Sequence, residues 1–135
     1  MSAPFPHFII IDDSQLDCFI GEKIIQNTGF YSSIKSFTQA TDAYNFIKAS
    51  EDKNDTITII VLDIQMPVMN GFQFVEAFEK LPESIKCNYA IYMFSSSINE
   101  NDKNRLENYP CVRKFYGKPI SKDIVATIVE AVKAQ

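Results

Sequence analysis

Three acids stand where buried strands ought to end. In FIIIDDSQ the apolar run stops on Asp12 and Asp13, and in IIVLDIQMPVMNG it stops on Asp63. Two other apolar runs end on groups able to meet an anion: YAIYMF leads into Ser95, Ser96 and Ser97, and VRKFY into Gly117, Lys118 and Pro119. Taken singly each is ordinary, because Asp, Ser and Lys-Pro are common turn and cap residues. Their joint placement carries the information. Brought to one rim, they make a shallow pocket with three carboxylates, a hydroxyl and an ammonium. Crowded carboxylates raise one another's pKa, and a hard divalent cation such as Mg2+, bound through oxygens, is the simplest relief. A carboxylate beside such a cation can act as a nucleophile toward a phosphoryl group and form an acyl phosphate. The cation and Lys118 would neutralise charge on the transferring oxygens.

The elements that must present these groups alternate along the chain. Short β-branched runs occur at 7–11, 32–37, 58–62, 89–94 and 112–116. Between them lie segments with helical spacing. Leu16, Phe19, Ile20 and Ile24 share one face, and so do Ala40, Ala43, Tyr44 and Ile47. Phe74, Val75, Phe78 and Leu81 form a third stripe; Ile124, Val125, Ile128, Val129 and Val132 form a fourth. Ser121 is placed to cap this last helix. The polar stretch 97–108 is read as a helix anchored only by Ile98 and Leu106. Five strands alternating with five helices predict an α/β fold: a doubly wound parallel sheet, in three layers, with helices on both faces. In such a sheet ligands bind at the C-terminal ends of the strands, where all the polar groups above fall.

Composition narrows the function. The 135 residues favour a single domain, 1–135, with its core over about 7–133 and no output domain. A formal net charge of −4 without a basic stripe argues against nucleic acid as a partner. No apolar stretch reaches the ~18 residues of a membrane span, and MSAPFPHF is not a signal peptide. Cys18, Cys87 and Cys111 form no metal or redox motif and read as reduced thiols, so a cytoplasmic location is expected. His7 reads as a strand-edge residue, and the aromatics mostly as core.

FIIIDDSQ, VLDIQMPVMNGFQF, YMFSS and FYGKPIS resemble, in order and spacing, the receiver domain of two-component response regulators. D-x-x-M-P-x-M-x-G is the most specific of these matches. The resemblance covers about residues 7–133. It implies the CheY-like, flavodoxin-like (βα)5 fold with sheet order 2-1-3-4-5. It also implies that Asp63 is the phosphoacceptor, and that Asp12, Asp13, Asp63 and the Gln65 backbone carbonyl hold Mg2+ or Mn2+. Ser95 then takes the switch hydroxyl position, with Ser96 and Lys118 at the phosphoryl group. Phe115 takes the switch aromatic position, and the Lys118–Pro119 bond is cis. The implied donor is a sensor histidine kinase or a histidine phosphotransfer protein. The readout is a changed surface on the fourth helix, fifth strand and fifth helix, presented to a downstream protein. The chain would be a self-phosphorylating and self-dephosphorylating switch, not a turnover enzyme. It would be a monomer or a weak phosphorylation-dependent dimer.

Phe115 lacks the hydroxyl of the Tyr common at its position, so packing alone must carry its signal. Pro110, in NYPCVRKFYG, is expected to stiffen or shorten the fourth helix. Phe19 and Ile20 are candidates for either core packing or a kinase-docking patch. Three other readings compete. A haloacid-dehalogenase-type phosphatase needs a second Asp where Gln65 stands. A flavodoxin-like nucleotide carrier needs a glycine-rich phosphate loop where DDSQLD stands. A degenerate receiver, binding partners without phosphorylation, is disfavoured by the intact set of Asp12, Asp13, Asp63, Ser95 and Lys118.

Overall fold

A computed structural model describes residues 5–50, 56–97 and 100–133, the Leu106 side chain excepted. Five strands form one parallel sheet, β1 (His7–Ile11), β2 (Ser33–Phe37), β3 (Thr58–Asp63), β4 (Tyr89–Ser95) and β5 (Val112–Gly117), in the order β2-β1-β3-β4-β5. Six helices connect and cover them: α1 (Gln15–Thr28), α2 (Ala40–Ala49), α3 (Gly71–Glu79), α4 (Glu83–Lys86), α5 (Glu100–Leu106) and α6 (Lys122–Lys133). β3 and β4 are buried along their whole length, as strands covered on both faces must be.

The alternation of side chains splits the core in two. On one face Ile9, Ile11, Ile60 and Leu62 meet Ala43 and Ile47 of α2 and Phe74 and Phe78 of α3. On the other Phe8, Ile10, Ile59 and Val61 meet Cys18 and Ile25 of α1 and Val125 and Ile128 of α6. The edges differ from the centre: β2 and β5 are only partly covered, and Lys35, Arg113 and Lys114 stand exposed on them. Lys35 lies over the rings of Phe37 and Phe46, and Lys114 over Tyr116. A register shift between Ile91 and Tyr92 leaves Arg113 unpaired in the ladder, a bulge on the edge strand.

Local chemistry sets the boundaries. The Ser14 side chain caps α1, accepting the Asp17 N–H at 3.1 Å, and Gly29, with φ of 73°, closes the helix in the left-handed region. Asn70 and Gln73 form a reciprocal capping box at the start of α3. Ser121 caps α6, its Oγ accepting the Ile124 N–H at 3.2 Å.

Four details add to the sequence reading or differ from it. α4 is an additional single turn, too short to leave a periodic signal. The stripe Leu16, Phe19, Ile20 is exposed, at 66%, 56% and 39%. α1 instead buries Cys18, Gly21 and Ile25, whose smaller members let it lie close on the sheet. The helix expected over 97–108 spans Glu100–Leu106; of its two proposed anchors, Ile98 and the Leu106 side chain lie outside the described residues. Pro110 lies beyond α5, inside a turn closed by the Val112 N–H on the Tyr109 carbonyl at 3.0 Å.

Candidate functional site

Each polar group sits at a strand end, and the sheet brings the ends together. Asp12 directly follows β1. Its own N–H still joins the ladder, donating to the Phe37 carbonyl at 3.0 Å, so its carboxyl is held where β1 leaves the sheet. Oδ1 of that carboxyl accepts the Ser14 N–H at 3.0 Å. Asp63 is the last residue of β3, and the Ile64 N–H beyond it donates to the Phe94 carbonyl at 3.1 Å. Gly71 then presses the start of α3 against this end. A Cβ there would stand 2.8 Å from the Ile64 Cα and 2.9 Å from the Asp63 carbonyl oxygen. Only glycine fits so close a return of the chain, which explains why a Gly follows the acid so soon.

Between Asp63 and α3 the loop is tight. Val68 adopts a φ of 68° and is 88% exposed. The Met69 N–H donates to the Pro67 carbonyl at 2.7 Å across it. A β-branched side chain in this region is strained.

Lys118 reaches in from the end of β5. Its N–H donates to the Ser95 carbonyl at 2.8 Å, locking the ends of β4 and β5 together. Its Nζ lies 2.6 Å from Asp12 Oδ2, 3.0 Å from Asp17 Oδ2 and 3.5 Å from Asp63 Oδ1. The Lys118–Pro119 peptide bond is cis. Ser95 is buried at the end of β4; its Oγ donates to the Ser97 carbonyl at 2.7 Å and accepts the Ser97 N–H at 3.2 Å. Ser96 and Gln65 are exposed beside it. Phe115 and Tyr116, adjacent on β5, go to opposite cores. Phe115 packs toward α2 and α3, and Tyr116 stacks on Phe94 at 5.4 Å between centroids. A small cavity of about 100 Å3, room for a few waters, lies under Lys118 against α1 and is lined by Ile10, Asp12, Ile20, Phe94 and Ile120.

The charges are unbalanced. Among the described residues, Asp12, Asp17 and Asp63 share the Lys118 ammonium, and Asp13 adds a fourth carboxylate beside Asp12 and Asp63. Burial, then the nearby Asp12 carboxylate, push the Asp63 carboxyl up to about 6, against the pull of Lys118 and a hydrogen bond from the Gln65 backbone. Burial by itself would lower the Lys118 pKa; its hydrogen bonds to Asp12 and Asp17 and the charge of Asp63 outweigh that and raise it. Asp12, Asp13 and Asp63 each bring a carboxylate oxygen within 4.8 Å of the others, with Asp13 exposed. This all-oxygen, anionic donor set fits a hard divalent cation.

Asp17 had no role in the sequence reading, yet it belongs to the cluster. Its only sequence signal is its place in the first turn of α1, four residues after Asp13, where a carboxylate suits the helix dipole.

Comparison with known proteins identifies the family and the fold. The family model described as "Response regulator receiver domain" matches residues 8–130. No curated protein matches the chain. A response regulator receiver protein from Dyadobacter fermentans is 29% identical, with a TM-score of 0.86, over 94% of this chain and 97% of its own. A two-component response regulator from Cytophaga hutchinsonii superposes with a TM-score of 0.85 at 24% identity, over 98% of this chain and 99% of its own. The receiver domain of a Pseudomonas aeruginosa sensor histidine kinase, solved with a magnesium ion in its active-site cleft, shares the fold. Its TM-score is 0.76 at 13% identity, over 97% of this chain and 99% of its own.

Proposed function

Because the chain belongs to the response regulator receiver family of two-component signalling, we propose that it is a phosphoacceptor module that takes its phosphoryl group on Asp63. The donor in this reading is the phosphohistidine of a sensor histidine kinase or a histidine phosphotransfer protein. An Asp63 carboxylate oxygen bonds to phosphorus as the phosphorus–nitrogen bond breaks. The imidazole leaves with that electron pair and takes up a proton. The product is an acyl phosphate that hydrolyses in time, so the chain acts as a switch and turns over no external substrate.

Asp63 supplies the nucleophile at the bottom of the rim. Mg2+ or Mn2+, held by Asp12, Asp13, Asp63 and the Gln65 backbone carbonyl, would supply positive charge that offsets the clustered acids and the transferring oxygens. The magnesium ion in the Pseudomonas receiver supports this assignment. Lys118, already between Asp12 and Asp63, binds the phosphoryl oxygens as a point charge. The Ser95 hydroxyl exchanges Ser97 for the phosphoryl group, with Ser96 beside it, and Phe115 packs inward behind it. The surface of α5, β5 and α6 then presents a changed face to a downstream protein.

The exposed Leu16, Phe19 and Ile20, one turn beyond the acid pair, give the donor an apolar face beside the site. Among the described residues no helix is long and apolar enough to cross a membrane.

The observation that carries this reading is Asp63, buried and within reach of Asp12, Asp13 and Lys118 at once. Intact mass after incubation with Mg2+ and acetyl phosphate tests it. A gain of one phosphoryl group in the wild type, lost in Asp63→Asn and with EDTA, is the expected result. No gain from either acetyl phosphate or a phosphorylated histidine phosphotransfer protein would overturn it.

A further inference from the structure

Lys118 is shared three ways, and the sharing is uneven. Its two bonding-distance partners are Asp12 at 2.6 Å and Asp17 at 3.0 Å, while Asp63 stands at 3.5 Å. Asp17 is not at a strand end. It is held in the first turn of α1, its N–H bound to the Ser14 Oγ at 3.1 Å, and its carboxylate leans over the rim from the side. That carboxylate is partly solvated, with 42% side-chain exposure against 8% for Asp12.

We propose that Asp17, through its charge beside Lys118, limits how strongly the site holds a phosphoryl group. The inference rests on the phosphoacceptor reading of Asp63. A phosphoryl group on Asp63 would bring close to two negative charges beside an ammonium that Asp17 already partly neutralises. Asp17 also repels that group directly. Both effects favour the unphosphorylated state, and neither needs Lys118 to move. Asp12 fixes Lys118 by itself at the shorter distance, so losing the Asp17 charge does not set the ammonium adrift. The effect resembles that of one partly exposed ion pair, which sets its size.

The test compares wild type, Asp17→Asn and Asp17→Glu. Beryllofluoride affinity, with Mg2+ present, reports how well the site holds a phosphoryl mimic, and intact mass after acetyl phosphate is removed reports acyl phosphate lifetime. Asp17→Asn should bind beryllofluoride about threefold to fivefold more tightly and lengthen the lifetime in the same proportion. Its melting temperature should change little, and Asp17→Glu, which keeps the charge, should restore wild-type values. Should the Asn variant fail to fold, Asp17→Gln is read in its place. Equal affinity and lifetime in wild type and the Asn variant would overturn the proposal, as would a Glu variant behaving like Asn. A wild type that neither binds beryllofluoride nor gains a phosphoryl group would overturn the Asp63 reading itself, a result distinct from the first two.

Discussion

The Ser95 hydroxyl is closed onto Ser97, donating to its carbonyl at 2.7 Å and accepting its N–H at 3.2 Å. The buried Ser95 hydroxyl is thus satisfied within its own loop. Loop and hydroxyl are coupled, since the hydroxyl cannot turn to a new acceptor without releasing Ser97.

Ser95→Ala should therefore leave phosphorylation of Asp63 in place and uncouple it from the loop. Hydrogen exchange in α5 should respond to beryllofluoride in the wild type and not in the variant. Stability should fall by only about 1 kcal/mol, because the N–H left without its partner belongs to exposed Ser97.

The pH dependence of stability without metal follows from Asp63. Its folded-state carboxyl is raised from 3.8 to about 6, so the folded state holds the proton more tightly than the unfolded chain. That contribution is complete below about pH 4 and is lost as pH rises through about 6. The shift corresponds to at most about 3 kcal/mol. Urea unfolding with EDTA should find Asp63→Asn more stable than the wild type at pH 7, with the gap closing toward pH 4. Adding Mg2+ at pH 7 should stabilise the wild type and leave the Asn variant nearly unchanged.

Gly71→Ala should destabilise by about 1–3 kcal/mol. The new methyl would meet backbone at 2.8 Å and the Met93 Cε at 2.9 Å, and backbone cannot step aside as a flexible side chain can. Denaturant unfolding gives the value. The same variant should phosphorylate more slowly, because the displaced segment carries Asp63.

Val68→Asn should stabilise. A β-branched residue at a φ of 68° stores strain of order 1 kcal/mol, and Val68 is too exposed to recover it by packing. Asn accepts the left-handed region at lower cost. A rise in melting temperature of several degrees, without change in the fold by circular dichroism, is expected.

The rim residues were legible in the sequence because each ends an apolar run, and a parallel sheet sends all such ends to one side. Asp12, Asp13, Asp63, Ser95 and Lys118 needed only that rule to be placed. Asp17 escaped it because its partner Lys118 is 101 residues away and a helix face carries no marker for such a contact. Leu16, Phe19 and Ile20 stayed ambiguous in the sequence for a related reason. Helical spacing shows that residues share a face, and burial depends on how closely the helix can approach the sheet. Here Gly21 sets that approach: a Cβ on it would come within 3.2 Å of the Ile10 Cδ1. α4 left no trace because four residues make a single turn.

The open margins of the sheet have a consequence for life in a crowded solution. A five-stranded sheet has two unpaired edges, and unpaired edges invite other chains to extend them. Here one edge carries exposed Lys35 and the other exposed Arg113 and Lys114, so like positive charges lie along both edges where strands would join. Copies meeting edge to edge repel at that line. The bulge at Arg113 further spoils the register a second sheet would need. Both features discourage runaway strand addition.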